Sequence, residues 1–167
     1  MAQAQQSAVD RIPYGLLLAR LGQESTARFR RSLRPLNVGA QQFIVLKQLQ
    51  VFGSCSQGQL ADALGIDYSN LASVTAQLYE RGLIERHRDP ADRRRYVVEL
   101  TTEGEQLLRD ADRAIESGEQ DMLHSLDEPE REQLWELLRR MADALELCPT
   151  SEVEAVEICA GDEAEAG

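Results

Sequence analysis

An arginine-rich segment between positions 81 and 95 carries the most distinctive chemistry of this sequence, with six arginines against three acidic residues. A guanidinium group presents several N–H donors in a planar fork, which suits phosphate oxygens and the edges of bases. Asp92 is close enough in sequence to Arg94 or Arg86 to hold one guanidinium in a fixed direction. We therefore expect this segment to bind nucleic acid. The arginines assigned to that contact are Arg86, Arg88, Arg93, Arg94 and Arg95.

A second polar group precedes this segment, on a helix predicted over residues 67–81. Asp67 is a favourable N-cap, and Leu71, Val74 and Leu78 form one apolar stripe. The opposite face is small and polar, and hydroxyl and amide groups on such a face can hydrogen-bond base edges in the major groove. The side chains assigned to that role are Ser69, Asn70, Ser73 and Gln77. The helix has no Lys or Arg before Arg81, so it lacks the bidentate guanine contact.

The elements that must position these side chains form a helix-turn-helix followed by a hairpin. Ser56 and Gln59 make a capping box for a short helix that ends at Gly65. After Gly82, two short strands on either side of the arginines predict a hairpin with a basic tip. Taken alone, a helical pair with such a turn favours an ordinary helical hairpin in a core. The basic hairpin that follows it favours a winged helix-turn-helix that binds DNA.

The remaining sequence predicts further helices. One covers residues 12–33 and stops before a proline, and another covers residues 39–52, with Phe43, Leu46, Leu49 and Val51 or Phe52 on one face. Capping boxes at Thr102 and Asp127 begin two amphipathic helices that need a partner surface. The predicted fold is mainly α, with a two-stranded β wing and a helical dimerisation region formed by the first and the last two helices.

The net charge of -11 conceals the basic segment, because the last 22 residues contain seven acidic residues and no basic one. We predict a cytoplasmic protein without a membrane segment, since no apolar stretch approaches about 20 residues and the N-terminus lacks a signal-peptide pattern. The cysteines Cys55, Cys148 and Cys159 are odd in number and have no CxxC spacing. This pattern disfavours a disulfide framework and a zinc site.

Several motifs together resemble the MarR family of bacterial and archaeal transcription regulators. The resemblance covers residues 12–147 and is densest over 56–104. It rests on Gln42-Phe43, Leu60-Ala61, Leu64-Gly65-Ile66, Glu80-Arg81-Gly82-Leu83-Ile84-Glu85-Arg86, Asp89-Pro90-x-Asp92-Arg93-Arg94 and Leu100-Thr101-x-x-Gly104. It implies a homodimer that binds a double-stranded, pseudo-palindromic operator, usually as a repressor. In such proteins the arginine at the position of Arg94, oriented by the acid at Asp92, enters the minor groove, and the helix at 67–81 lies in the major groove.

The resemblance also suggests a domain division and an effector. Residues 12–147 would form the regulator, with a DNA-binding lobe at 37–101, dimerisation helices at 12–36 and 102–147, and an acidic tail at 148–167. A small-molecule ligand, often a phenolic or aromatic anion, would release the DNA, and no cofactor is implied. Candidate lining residues are Tyr14, Leu18, Arg20, Phe29 and Phe43, although most of these also suit an ordinary core. Lys47 and Arg34 could add phosphate contacts.

Two alternatives remain open, and a third is disfavoured. Cys55 precedes a helix N-terminus that would lower its pKa, which would suit a redox-responsive regulator. A winged helix can also serve as a protein-interaction module without DNA binding, and the acidic tail could mimic DNA. An enzyme is disfavoured, because the sequence has no HExxH, GxSxG or phosphate-binding glycine motif and no metal-binding cluster.

Overall fold

The computed structural model describes residues 12–89 and 93–145. Two of the predictions, the role of Asp92 and the acidic tail, lie outside these ranges. The elements in chain order are α1 (Tyr14–Leu33), a short 3-10 turn (Arg34–Leu36), α2 (Ala40–Phe52), α3 (Gln57–Leu64), α4 (Tyr68–Glu80), β1 (Ile84–Arg88), β2 (Tyr96–Leu100), α5 (Thr102–Met122) and α6 (Glu128–Ala144). The fold is therefore mostly helical with one antiparallel hairpin, as the sequence predicts.

The first two helices end where proline and glycine predict, although α1 begins at Tyr14, two residues later than predicted. Pro35 lies in the 3-10 turn directly after α1, because its ring cannot continue an α-helix. Gly53 closes α2 with φ of 68°, a conformation that favours glycine. One detail of the prediction is wrong: Val51 is 71% exposed and Phe52 is also exposed, so neither joins Phe43 in the core. Both lie in the last turn of α2, beyond the neighbouring helices that cover its centre.

The helix-turn-helix follows its predicted caps. The Ser56 hydroxyl accepts from the Gln59 N–H, and the Gln59 side chain accepts from the Ser56 N–H, which confirms the capping box. Gly65 ends α3 in the left-handed region with φ of 62°. The Asp67 carboxylate then caps α4 by accepting from the Ser69 N–H at 2.9 Å. These caps set the turn between α3 and α4.

The hairpin is paired from Ile84 with Leu100 to Arg88 with Tyr96. Cys55 adds a bridge that the sequence does not predict, because its N–H donates to Val98 O and its carbonyl accepts from the Val98 N–H. The loop before α3 is therefore fixed to the wing. The middle of β2 is thus held beside the start of the helix-turn-helix.

The beginning of α5 corrects one predicted cap. Thr101, not Thr102, is the N-cap, since its hydroxyl accepts from the Gly104 N–H at 3.0 Å and donates to Gly82 O at 2.7 Å. Strand β2 ends at Leu100, so the chain can enter the helix one residue earlier than predicted. The second predicted box is confirmed, with Asp127 and Glu130 bonded reciprocally at 3.0 Å at the start of α6.

The core lies beneath α2, α3, α4 and the hairpin, and α5 closes it from one side. Its largest fully buried side chains are Leu33, Phe43, Val45, Leu46, Leu49, Leu60, Leu71, Leu78, Ile84 and Leu108. The exposed face of α4 is thus supported from behind by tightly packed side chains. Among the helices of residues 12–89 and 93–145, none is both long enough and apolar enough to cross a bilayer.

Candidate nucleic-acid interface

The four side chains expected to contact bases lie on one exposed side of α4. Ser69, Asn70, Ser73 and Gln77 are all exposed, whereas Leu71, Val74 and Leu78 on the other side are buried. This arrangement leaves hydroxyl and amide groups free of the core, on a helix that fits the major groove of DNA. We call α4 the recognition helix.

Ser69 has a second role that limits what it can do at a base. Its hydroxyl donates to the Asp67 carboxylate, and its N–H donates to the same group. These bonds from Ser69 hold the pKa of Asp67 below its ordinary value, so the cap stays ionised. With its proton directed at Asp67, the Ser69 hydroxyl has only acceptor capacity left for a ligand.

The recognition helix is fastened to α3 by a small polar network. Gln57 Nε2 donates to Thr75 Oγ1 at 2.7 Å, and Tyr68 OH donates to Gln57 Oε1 at 3.1 Å. Thr75 is buried and also donates to the backbone carbonyl of Leu71. Because Gln57 bonds to both the first turn and the middle of α4, it fixes the helix against α3. The network therefore preorganises the exposed polar face.

The wing arginines are organised around an aromatic ring. The guanidinium carbons of Arg86 and Arg88 lie 4.0 and 4.3 Å from the ring centre of Tyr96. Such contacts between a cation and a π face orient guanidinium groups that would otherwise sample many rotamers. Arg88 Nη1 also donates to Arg93 O at 2.8 Å, which fixes part of the wing tip. Arg93, Arg94 and Arg95 are exposed.

The wing and the helix-turn-helix meet at a cleft of about 260 Å³. Arg86, Arg95 and Tyr96 line it from the wing, and the first residues of α3 with Tyr68 of α4 line it from the other side. The positive end of α3 and two guanidinium groups thus face the same space, which favours an anion such as a backbone phosphate. Arg86 and Arg95 are two of the predicted DNA contacts.

A larger open cleft of about 730 Å³ lies on the other side of α4, against the start of α2. It contains Asn70, Ser73 and Gln77 of the recognition helix, together with Arg34 and Arg81. The location of Arg34 supports its expected phosphate contact. Lys47 does not suit that role: its ammonium lies 2.9 Å from the Asp112 carboxylate and is largely covered. Lys47 instead joins α2 to α5.

The five residues expected to line an effector cleft are not brought together within one chain. Phe43 is buried and packs edge-to-face on Phe29, with ring centres 5.7 Å apart, so this pair belongs to the core. Tyr14 is 71% exposed, and Leu18 and Arg20 are also exposed on α1. Tyr14 and Phe29 are 15 residues apart on this helix, a rise of about 22 Å. One small ligand cannot contact both in a single subunit.

Cys55 has a different environment from the one that the sequence suggests. It is buried against the wing, and burial raises the pKa of its thiol. The expected lowering of this pKa by the α3 N-terminus is therefore wrong in direction, because the buried thiol is desolvated. A raised pKa reduces the thiolate fraction at neutral pH, and the thiolate is the reactive form.

We expect Cys55 to react slowly in the folded protein. In a variant with Cys148→Ser and Cys159→Ser, iodoacetamide at pH 7.5 should modify Cys55 at least roughly tenfold more slowly than in urea. Mass spectrometry of the alkylated protein over time measures both rates. Equal rates under the two conditions would contradict the burial of this thiol and restore the redox alternative.

Three participants in this interface escape sequence reasoning. Tyr96 stacks on two arginines, Gln42 of α2 bonds to Gln77, and Arg81 donates to the carbonyls of Leu36 and Asn37. The strand register offers a signal for Tyr96 alone, because it faces Arg88 across the hairpin. The contacts of Gln42 and Arg81 join segments more than 30 residues apart, so local patterns do not reveal them.

Comparison with known proteins agrees with this geometry. The MarR family model matches residues 39–96. The transcriptional regulator HosA of Escherichia coli O111:H- is 34% identical over 127 residues, which cover 76% of this chain and 93% of that protein. The structure of a mutant of S. aureus MepR bound to an oligodeoxyribonucleotide superposes with a TM-score of 0.66 and 26% identity, covering 81% of this chain and 99% of that one.

A third relative connects the fold with a small molecule. In Bordetella bronchiseptica BpsR, 6-hydroxynicotinic acid regulates DNA binding. The BpsR structure superposes on this chain with a TM-score of 0.58 and 34% identity. The match covers 78% of this chain and 94% of that one. Together with the helix-turn-helix and the basic wing, the near full-length similarity to HosA shows that this chain belongs to the MarR family of winged-helix transcriptional regulators.

Proposed function

We propose that this protein is a sequence-specific, DNA-binding transcriptional regulator. The observation that carries the proposal is the exposed polar face of the recognition helix beside a wing with five arginines, Arg86, Arg88, Arg93, Arg94 and Arg95. A helix with this surface fits the major groove, and the adjacent guanidinium groups fit phosphates and a narrow minor groove. The structure of its relative MepR with a bound oligodeoxyribonucleotide supports DNA as the ligand.

The proposed active form is a homodimer. No residue of α6 is buried in the described chain, yet Leu137, Leu138, Met141 and Trp135 are large apolar side chains on this helix. The exposed side of α1 is also apolar at Leu17 and Leu21, among others. Apolar helix faces of this extent need a partner, and a second copy supplies one with matching chemistry. Two half-sites on one duplex then share a single association cost.

The proposed dimer binds a pseudo-palindromic operator as a repressor and is released by a small-molecule anion. The regulation of BpsR by an aromatic acid supports a ligand of this kind. In the dimer, α1 of one subunit and the DNA-binding lobe of its partner could share a cleft. Tyr14, Leu18 and Arg20 would then line the effector site, which a single chain does not form. The proposed division keeps a lobe at 37–101, dimerisation helices at 12–36 and 102–147, and a tail at 148–167.

The wing gives the first test. Against a duplex selected by the protein from a random library, Arg94→Ala should weaken binding at least roughly tenfold and reduce the salt dependence by about one counterion, because one cation leaves the interface. Fluorescence anisotropy across a salt series measures both effects. Arg113→Ala is the matched control, since it removes the same charge from a side chain that is 70% exposed on α5.

Two results would argue against this function. If the selection yields no preferred duplex, the protein is not a sequence-specific DNA-binding protein. If the two arginine variants bind equally well, the wing does not contact DNA. A protein-interaction module would then be favoured, because its winged helix would use the same exposed face for a protein partner.

A further inference from the structure

Gln77 of the recognition helix is tied to the start of α2, and the tie fixes which atoms it can offer to a base. We propose that Gln42 and Arg81 are positioning residues that turn the amide of Gln77 so that it presents its N–H donors to the major groove. Gln77 is then a specificity-determining residue for a base with an acceptor edge. This inference rests on the proposed DNA binding.

The orientation of the Gln42 amide is set by two groups that can only donate. The backbone N–H of Gly39 donates to Gln42 Oε1 at 3.2 Å, and Arg81 Nη1 lies 3.4 Å from the same oxygen. A backbone N–H and a guanidinium group have no acceptor capacity, so the atom facing them must be the amide oxygen. The Gln42 nitrogen is therefore the atom that faces the recognition helix.

This orientation passes to Gln77. Gln42 Nε2 donates to Gln77 Oε1 at 2.8 Å, so the Gln77 oxygen is turned toward α2. The oxygen and nitrogen occupy separate corners of the planar amide, so with the oxygen bonded to Gln42 the Nε2 group of Gln77 takes no part in this hydrogen bond. Gln77 is exposed, and its neighbours Asn70 and Ser73 share the same cleft. The N–H donors of Gln77 remain for a ligand.

Arg81, Gln42 and Gln77 form a chain of hydrogen bonds that we call the relay, and Arg81 fixes one end of it to the backbone. Its Nη1 donates to Asn37 O at 2.6 Å, and its Nη2 donates to Leu36 O at 3.2 Å. Asn37 has φ of 53° and ends the 3-10 turn. Both carbonyls therefore belong to the short, hydrogen-bonded connection between α1 and α2. The guanidinium cannot leave Gln42 without breaking both bonds. The relay is thus held by backbone rather than by mobile side chains.

The fixed amide changes which bases Gln77 can recognise. A glutamine that binds adenine in the bidentate mode needs its oxygen and its nitrogen at the base together. The Gln77 oxygen keeps a second lone pair beside its bond from Gln42, so adenine is still accepted, and the donors also suit O6 or N7 of guanine and O4 of thymine. Cytosine presents an N4 donor at this edge and is disfavoured. The expected preference for guanine or thymine over cytosine is roughly fivefold, as for one neutral hydrogen bond.

The experiment reverses the direction of the hydrogen bond between residues 42 and 77 by replacing the amide nitrogen of residue 42 with an oxygen. Gln42→Glu keeps the acceptor for Gly39 and Arg81 but can no longer donate, so Gln77 must donate to it and turn its oxygen outward. Wild type, Gln77→Ala and Gln42→Glu are each used to select duplexes from a random library, and the bound pool is sequenced. Gln77→Ala identifies the base position that residue 77 contacts, because the preference there is lost.

At that position, Gln42→Glu should move the selection from guanine or thymine toward cytosine, whose N4 donor the outward oxygen can accept, and the other positions should keep their preferences. Gln41→Glu controls for charge, since it adds the same carboxylate to the first turn of α2 at an exposed site, and it should weaken binding without altering any preference. An unchanged preference in Gln42→Glu, with binding intact, would overturn the relay alone. If the wild type selects no sequence, the proposed function fails and this inference fails with it.

Discussion

Replacing Gly104 by alanine should lower the free energy of unfolding by about 3 kcal/mol, the upper part of the range for overpacking a closed site. A Cβ at this position would lie 2.1 Å from Leu83 O and 3.3 Å from Leu100 Cδ2. The carbonyl of Leu83 cannot move freely, because it also accepts from the Thr101 N–H at 3.2 Å. Either the start of α5 or the base of the wing must shift. Urea unfolding followed by circular dichroism measures the loss.

Gly58→Ala is the matched control. Gly58 lies in α3, where nothing is within 4 Å of the new Cβ. Alanine there should raise stability by about 0.5 to 1 kcal/mol, because a helical glycine costs backbone entropy. A Gly104→Ala protein as stable as the wild type would contradict the close approach of α5 to the wing, and with it the account of Gly104.

Placing a charge on the apolar face of α6 should have the second large effect. Leu138 is 44% exposed in the single chain, although it lies one helical turn from Leu134 and near Met141. In the proposed homodimer this face is covered, so Leu138→Glu would bury an unpaired carboxylate. We expect the dimer dissociation constant to rise roughly a hundredfold, as for loss of a strong interface contact. Sedimentation equilibrium over a concentration series measures it.

Arg140→Glu is the control for this change. It places a carboxylate at an exposed site of α6 about 160° from Leu138 around the helix, given 100° per residue. The dimer should survive this substitution. An unaltered dissociation constant in Leu138→Glu would show that α6 does not form the interface, and a monomeric wild type would overturn the homodimer itself.

The helices and strands were largely predictable because their signals are local. The caps at Ser56, Asp67 and Asp127, together with the stops at Gly53 and Gly65, all involve residues within a few positions of one another. Where two caps compete, local reasoning is less certain. Thr101 and Thr102 are both suitable N-caps, and the end of β2 at Leu100 selects the first.

The site was predictable in its residues more than in its contacts. The exposed face of α4 and the exposed arginines follow from period and position. Whether Cys55 is reactive depends on its burial in the fold. Whether Lys47 can reach a phosphate depends on its ion pair with Asp112, which lies 65 residues from it in sequence. The effector role of the residues on α1 stays a prediction for a similar reason, because apolar periodicity does not state which surface covers them.

The sequence by itself determined the order of the elements, the polar face of the recognition helix, the basic character of the wing and the family. These properties follow from backbone caps, helical period and motif spacing, all of which act over short stretches of chain. Only the tertiary structure decided the stack of Arg86 and Arg88 on Tyr96, the burial of Cys55 and the direction of the Gln77 amide. Each of these depends on groups that the fold brings together from distant segments, where distance and desolvation set the chemistry.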